Sequence, residues 1–191
     1  MFNKIFLVAG HHNKDSGAIY SHTIKGNEIK FTESDLTKEF RDLLFIELSK
    51  YIDNKRIIKD NDDEDLGKVI NWLNEKASKN DLIIDLHFNA ASEAANGTEV
   101  FIRDYSTNSE IELSTEIKRT ICNSINTRSR GIKKQNQSAR KRIGILNLPK
   151  PTILIEVCFI TNEKDISNYI INKHLLVSEL AKTIDKFLIK Y

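Results

Sequence analysis

The chain has 191 residues, of which 40% are hydrophobic and 29% charged, a balance typical of soluble globular proteins and unlike that of disordered or membrane proteins. Its 29 basic and 27 acidic side chains leave a formal net charge of +2, so a nucleic-acid partner is not indicated. The two cysteines, Cys122 and Cys158, lack the paired spacing of a disulfide framework or a cysteine zinc site. No repeat or linker divides the chain, which predicts one domain over residues 1–191.

The amino-terminal part of the chain predicts a strand followed by two helices. Residues 5–9 form an apolar run that is too short for a signal-peptide core and is typical of a strand. Apolar residues at helical spacing then form two stripes, which are Leu36, Phe40, Leu44, Leu48 and Tyr51, and Leu66, Val69, Ile70, Leu73 and Ala77.

The rest of the chain continues the alternation. Apolar runs at residues 82–86 and Thr152–Phe159 predict central strands covered on both faces, and residues 97–103 predict a strand of unreadable direction. Two further helices are indicated by the stripes Leu113, Ile117 and Ile121, and Leu176, Leu180, Ile184, Phe187 and Tyr191. We therefore expect an α/β fold in which a twisted, mostly parallel or mixed sheet is flanked by helices on both faces.

No apolar run approaches the length of a membrane span, which is about 20 residues. With no recognisable signal peptide, the chain is expected to be made in the cytoplasm and not to insert into a membrane. If its substrate lies outside the membrane, the protein needs release or export.

Three polar side chains lie near the predicted strand ends. His11 follows the first strand, His87 ends the strand at 82–86, and Glu156 lies within or at the end of the last strand. Since ligands of open α/β sheets bind at the carboxyl ends of the strands, these residues are expected to meet on one rim.

Glu33 is a fourth candidate, in the segment Thr32-Glu33-Ser34-Asp35. Thr32 can cap a helix there and Asp35 can reach back, which puts Glu33 in the first helical turn. Two neutral imidazoles and one carboxylate make an open tetrahedral zinc site with a fourth position for water. His11, His87 and Glu33 are thus candidate ligands of one zinc ion, and Glu156 is free for proton transfer.

Each of these residues also has a structural interpretation, because none belongs to a compact ligand motif. His11 could be a turn residue beside Gly10, and His87 a hydrogen-bonded histidine at a strand end. Glu33 could simply stabilise the helix dipole. Glu156 lies among apolar neighbours and needs a partner, so a buried salt bridge and a general base are both open.

The order of these segments resembles the catalytic domain of the zinc-dependent N-acetylmuramoyl-L-alanine amidases, the amidase-3 group of bacterial autolysins and phage endolysins. Gly10-His11 with Asp15-Ser16-Gly17-Ala18 resembles the opening signature with a zinc-binding histidine. Glu33-Ser34-Asp35-Leu36 is similar to the helix start that supplies a glutamate ligand.

The resemblance continues along nearly the whole chain. Asp85-Leu86-His87-Phe88-Asn89-Ala90 is similar to the strand with the second histidine ligand, and Gly97-Thr98-Glu99-Val100 and Arg130-Gly131-Ile132-Lys133 match later segments. The final match runs from Pro151 to Asn162 and carries Glu156. The resemblance implies a hydrolase that cleaves the amide between the lactyl group of muramic acid and L-alanine in peptidoglycan, with zinc as cofactor and Glu156 as proton acceptor.

Two positions depart from the family pattern. The family usually has glycine where this chain has His12 and again where it has Cys158. His12 could therefore compete with His11 as the ligand, and Cys158 could narrow the cleft or contact the metal. The structural interpretation of Cys158 is a small buried apolar residue.

A basic segment at residues 128–142 has no assigned role. It could bind anionic wall polymers or peptide carboxylates, or it could be a solvated loop. Its cationic residues are Arg128, Arg130, Lys133, Lys134, Arg140, Lys141 and Arg142.

Two other functions remain open at this stage. A zinc carboxypeptidase-like enzyme acting on peptide ends would use the same residue types, and a catalytically silent wall-binding module could retain the same fold. Glu156 argues against the silent module. In every case the expected partner is peptidoglycan, acted on at the bacterial cell wall after release or export.

Overall fold

Strands and helices alternate along the computed structural model, which describes residues 2–24, 26–138 and 141–190. Arg140 and Tyr191, which belong to the predicted basic segment and the last predicted stripe, lie outside these residues. The described elements are β1 (Ile5–Ala9), β2 (Ile19–Ile24), β3 (Asn27–Thr32), α1 (Glu33–Leu48), β4 (Ile57–Lys59), α2 (Leu66–Lys76), β5 (Leu82–Asn89), β6 (Thr98–Ile102), α3 (Asn108–Ser124), β7 (Ser129–Lys134), β8 (Thr152–Phe159) and α4 (Glu163–Lys190).

Six strands form one sheet in the order β4-β1-β5-β8-β6-β7. The pairs from β4 to β8 are parallel, β6 is antiparallel to β8, and β7 is parallel to β6. The remaining strands, β2 and β3, form an antiparallel hairpin. The expected mixed, mostly parallel sheet is confirmed, and the strand of open direction runs against its neighbour β8.

Helices cover both faces of this sheet, as predicted. Apolar side chains of α1, α3 and α4 pack in the larger core on one face. The smaller core on the other face is formed with α2 and the short turn at residues 144–147. Two ends of the predicted stripes are wrong, because Tyr51 follows the end of α1 and is 43% exposed, and Leu66 at the start of α2 is 55% exposed.

Three parts of the β structure were not predicted: the β2–β3 hairpin, β4 and β7. These strands lie in the hairpin or at the sheet edges, where side chains are largely solvated and apolar patterning is weak. β7 is formed by the first half of the basic segment, which is therefore an edge strand and not a loop.

The face of the sheet beneath α2 changes from apolar to polar towards the carboxyl ends of the parallel strands. Leu154 and Phe101 pair across β8 and β6 and belong to the smaller core. Because side chains alternate along a strand, the residue two positions after Leu154 and the residue two positions before Phe101 face the same side. They form a polar row in direct register, consisting of His87, Glu156 and Glu99.

None of the helices within the described residues is long and apolar enough to cross a membrane.

Candidate metal centre

His11 lies in the turn that follows β1 and has a left-handed backbone, with φ of 69°. Residues with a β-carbon seldom adopt this conformation, so the surrounding contacts must hold it. The imidazole Nδ1 donates to Oδ2 of Asp15 at 2.9 Å, and the hydroxyl of Thr37 donates to the Gly10 carbonyl at 2.6 Å. The turn therefore presents His11 in one fixed orientation.

The end of β1 is also anchored from the side of the sheet. The Ala9 N–H donates to the carboxylate of Asp60, and Asp60 forms a buried ion pair with Arg41 of α1 at 2.8 Å. A buried pair of this kind contributes little net stability but fixes geometry, since breaking it leaves a buried charge. It joins the strand that leads to His11 to the helix that begins at Glu33.

Glu33 is the first residue of α1, and Thr32 caps the helix by accepting from the Asp35 N–H, as predicted. The Glu33 carboxylate is buried, with 6% of the residue exposed. It accepts backbone N–H groups from Ala18 at 3.1 Å and from Phe88 at 3.2 Å. The hairpin and β5 thus both orient the carboxylate.

His87 lies inside β5, two residues before its end, and not at the end as predicted. Its Nδ1 is 3.0 Å from Oε1 of Glu33, and its Nε2 is 3.2 Å from Oδ2 of Asp85. Gly10 makes room for the ring, because a β-carbon there would approach the imidazole to 2.3 Å.

His11, Glu33 and His87 form one cluster. The Nε2 of His11 lies 3.0 Å from Oε2 of Glu33, and one ligand atom from each residue lies within 4.8 Å of the other two. Gly17 closes the other side, where a β-carbon would come within 2.5 Å of His11 and 2.7 Å of Glu33. The three residues form a group able to bind a metal ion, as predicted for these positions.

Each imidazole directs its second nitrogen to an aspartate. His11 contacts Asp15 and His87 contacts Asp85. Metal-binding histidines commonly have such an outer carboxylate, which fixes the tautomer and the ring orientation. Asp85 is 3% exposed, so its carboxylate faces His87 from inside the protein.

The charges of the cluster are strongly coupled. Burial alone would raise the pKa of Glu33, but the hydrogen bonds from the two histidines hold it well below its usual range. Burial also opposes the charged form of His87, yet Asp85 and Glu33 raise its pKa well above 6.5. The pKa of His11 is raised as well, by Glu33 and Asp15 against burial. Both shifts favour the protonated imidazoles, and a metal ion must displace those protons to bind the nitrogens.

Glu156 lies opposite His87 on the neighbouring strand β8. Its Oε2 is buried and has no hydrogen-bond partner. Burial raises the pKa of Glu156 from 4.5 to about 7, the nearby carboxylates add to this, and His87 opposes it. A side chain with this pKa can both take and release a proton near neutral pH. No ion pair to Glu156 occurs among the described residues, which argues against the buried salt bridge.

The two departures from the family pattern fall outside the cluster. The Nδ1 of His12 accepts the Lys14 N–H at 3.3 Å in an exposed turn, and His12 does not join the metal-binding group among the described residues. Cys158 is fully buried in the larger core, consistent with a small apolar residue. His11 is therefore the better placed histidine.

Several polar residues around the cluster had no predicted role. The alternation of side chains along a strand predicts which way Asp85 and Glu99 face, since each lies on the same strand face as an apolar core residue. Asp60 and Arg41 carry no such signal, because their partnership depends on how α1 packs against the sheet.

The chain was compared with known proteins once this geometry was established. A family model described as N-acetylmuramoyl-L-alanine amidase matches residues 5–189. The chain belongs to this amidase family. It is accordingly a hydrolase with N-acetylmuramoyl-L-alanine amidase activity on peptidoglycan.

Individual proteins agree with the family assignment. The amidase chain is 27% identical to the uncharacterized protein YqiI of Bacillus subtilis over 162 residues, which is 84% of this chain and 72% of YqiI. An N-acetylmuramoyl-L-alanine amidase from Clostridium difficile 630 superposes with a TM-score of 0.72 and 25% identity, covering 100% of this chain and 96% of the other. The catalytic domain of the CD27L endolysin, which targets Clostridia difficile, has the same fold, with a TM-score of 0.67, 22% identity and coverage of 98% and 97%.

Proposed function

We propose that this amidase hydrolyses the amide between the lactyl group of N-acetylmuramic acid and L-alanine with a single zinc ion held by His11, Glu33 and His87. The observation that carries the proposal is the convergence of these side chains beside the unpartnered Oε2 of Glu156. We further propose that residues 1–191 act as one catalytic domain on peptidoglycan at the bacterial cell wall.

The donor set fits zinc. Two imidazole nitrogens and one carboxylate are the usual protein ligands of catalytic zinc sites, which keep one position open. When bound, zinc polarises the carbonyl of the scissile amide and makes water acidic enough to attack near neutral pH. The two glycines described above leave the space that the histidine rings and Glu33 require.

Asp15 and Asp85 are proposed to orient the two ligands. In each case the imidazole nitrogen that contacts the aspartate is not the one that faces Glu33. With the N–H fixed towards the aspartate, the other nitrogen keeps its lone pair for the metal.

Glu156 is proposed as the catalytic base. Its free Oε2 accepts a proton from the attacking water, and the neutral carboxyl then donates that proton to the departing alanine nitrogen. The proton ends on the amine and the water oxygen on the lactyl carboxylate, so the carboxyl returns to its starting state.

Metal analysis of purified protein tests the ligand assignment. We expect about one zinc per chain, loss of activity on chelation, and loss of zinc in His11→Ala. His12→Ala is the matched control and should retain zinc, because its side chain lies in the exposed turn. Zinc loss in His12→Ala with retention in His11→Ala would move the ligand to His12.

A second experiment tests the base. Zinc-loaded Glu156→Gln should keep the fold and the metal while losing turnover by about a hundredfold or more, since the amide cannot accept the proton. Near-normal lysis of walls by this variant would remove Glu156 from the mechanism. A Glu156→Gln protein that binds walls without releasing product behaves as a catalytically silent wall-binding module would. The wild type can be compared with it.

A further inference from the structure

Two cationic side chains of β7 converge on one buried carboxylate next to the polar row. Arg130 Nε contacts Oε2 of Glu99 at 3.2 Å, and Lys133 Nζ contacts the same oxygen. The other oxygen of Glu99 accepts from Asn89 at 2.6 Å. Glu99 is 4% exposed, so its negative charge is enclosed and both its oxygens are occupied.

Arg130, Lys133 and Glu99 together carry two positive charges and one negative charge. Each cation has further N–H groups beyond the one that contacts Glu99, and these can donate to a second anion. The side chains of Arg130 and Lys133 are 25% and 30% exposed, and a ligand can therefore reach them from solvent.

The cations are also held in place, unlike those of a solvated loop. The guanidinium of Arg130 lies over the ring of Phe159 at 4.8 Å, and its Nη1 donates to the Asn96 carbonyl at 3.3 Å. Lys133 Nζ lies 5.7 Å from the centre of the Phe101 ring. Charged groups that are positioned in advance bind an anion without a large ordering cost.

The cluster lies at a defined distance from the proposed chemistry. Glu99 pairs directly with Glu156, and β7 is the next strand beyond β6. Both cationic groups contact Glu99 on β6, and strands are spaced by about 4.8 Å, so these groups lie roughly 5–10 Å from Glu156. An extended peptide advances about 3.5 Å per residue. In a stem peptide whose first residue carries the scissile amide, a carboxylate on the second residue therefore lies within reach of these cations.

We propose that Arg130 and Lys133 form an anion subsite that binds the free carboxylate of the second stem-peptide residue. This inference rests on the proposed function, because it assumes that the amide is cleaved beside Glu156. It orients the substrate with its peptide across β8, β6 and β7, on the open face of the sheet, and with its glycan towards β1 and the β2–β3 hairpin. Arg130 and Lys133 act in binding and not in proton transfer.

The test compares two purified muropeptides that differ only in a carboxylate or a carboxamide on the second residue. The wild type should cleave the carboxylate form with a kcat/KM about tenfold higher, the size expected for a partly exposed charge-assisted hydrogen bond. Lys133→Met should lose this preference through a higher KM for the carboxylate form, with kcat and the carboxamide reaction changed by less than about twofold. Lys133→Arg should restore the preference, because it retains the charge.

Lys134→Met is the matched control. Lys134 is the next residue and has the same charge, but it follows the face of Ile132, which packs against the larger core, and its side chain is exposed. The variant should keep the wild-type preference. Arg130→Gln provides a second test at the same subsite and should reduce the preference in the same direction as Lys133→Met.

The outcomes separate this inference from the proposed function. If the wild type cleaves both muropeptides equally well, or if Lys133→Met slows both to the same extent, the subsite is overturned while the amidase reaction stands. If the wild type releases no L-alanine amino terminus from either muropeptide, the proposed function itself is wrong.

Discussion

Glu156→Gln should stabilise the metal-free protein at alkaline pH even though it removes activity. In the folded protein burial raises the pKa of Glu156 from 4.5 to about 7, and its Oε2 has no partner. The carboxyl is protonated in both states below pH 4.5, and it is ionised only in the unfolded chain between pH 4.5 and about 7. Folding stability therefore falls as the pH rises through this window and levels off above it.

The size of the effect follows from the two pKa values. Each pH unit between them corresponds to about 1.4 kcal/mol, which gives an upper limit of about 3.4 kcal/mol for the interval in pKa. Although Oε2 is buried, the residue as a whole is partly exposed, which reduces this cost, so we expect Glu156→Gln to gain about 1–3 kcal/mol at pH 8. Near pH 4 the carboxyl is neutral, and the variant should match the wild type.

Urea unfolding with a chelator present, at pH 4 and pH 8, measures both quantities. Glu75→Gln on the exposed side of α2 is the control, and it should change stability by less than about 0.5 kcal/mol at either pH. If Glu156→Gln destabilises the metal-free protein at pH 8, the carboxylate has a stabilising partner and the account of its burial is wrong.

Three further predictions concern the metal-binding group. Asp85→Asn should weaken zinc affinity by about 10- to 100-fold, measured by competition with a chromophoric chelator, because the amide no longer fixes the His87 tautomer; unchanged affinity would show that Asp85 does not orient the ligand. Gly10→Ala should abolish zinc binding, because its β-carbon would overlap the His87 ring, whereas Gly67→Ala in the first turn of α2 should bind zinc normally. Zinc binding near neutral pH should release protons and weaken as the pH falls, because the pKa values of His11 and His87 are raised; calorimetry in buffers of different ionisation enthalpy measures this release, and binding without it would contradict the protonated state.

The central layer of the fold is visible in the sequence because its burial is continuous. The runs that form β1, β5 and β8 are apolar on both faces and could be predicted without any contact information. The β2–β3 hairpin could not, since most of its residues are exposed and its place is set by the contacts of Ala18 and Glu33. β7 was hidden for a related reason, because edge strands tolerate charged residues.

Some features of the candidate site could likewise be predicted from the sequence, and others could not. His11 and Glu33 lie where predicted elements end or begin, and His87 and Glu156 lie in predicted strands near the same edge of the sheet, so their convergence was expected from topology. The left-handed backbone of His11 and the space left by Gly10 depend on atomic contacts that no sequence period reports. The contact between Asp85 and His87 could have been predicted from the sequence, because the two residues lie two positions apart and so share one face of the strand.

The most direct test of the central claim is the identity of the bond that the enzyme cleaves in purified peptidoglycan. Amino-terminal labelling and mass spectrometry of digested walls should find new L-alanine amino termini on the released peptides, with the glycan strands intact and no new reducing ends, because zinc held by this site would direct water at the amide carbonyl. Release of free D-alanine without new L-alanine termini would contradict the amidase account and indicate a carboxypeptidase.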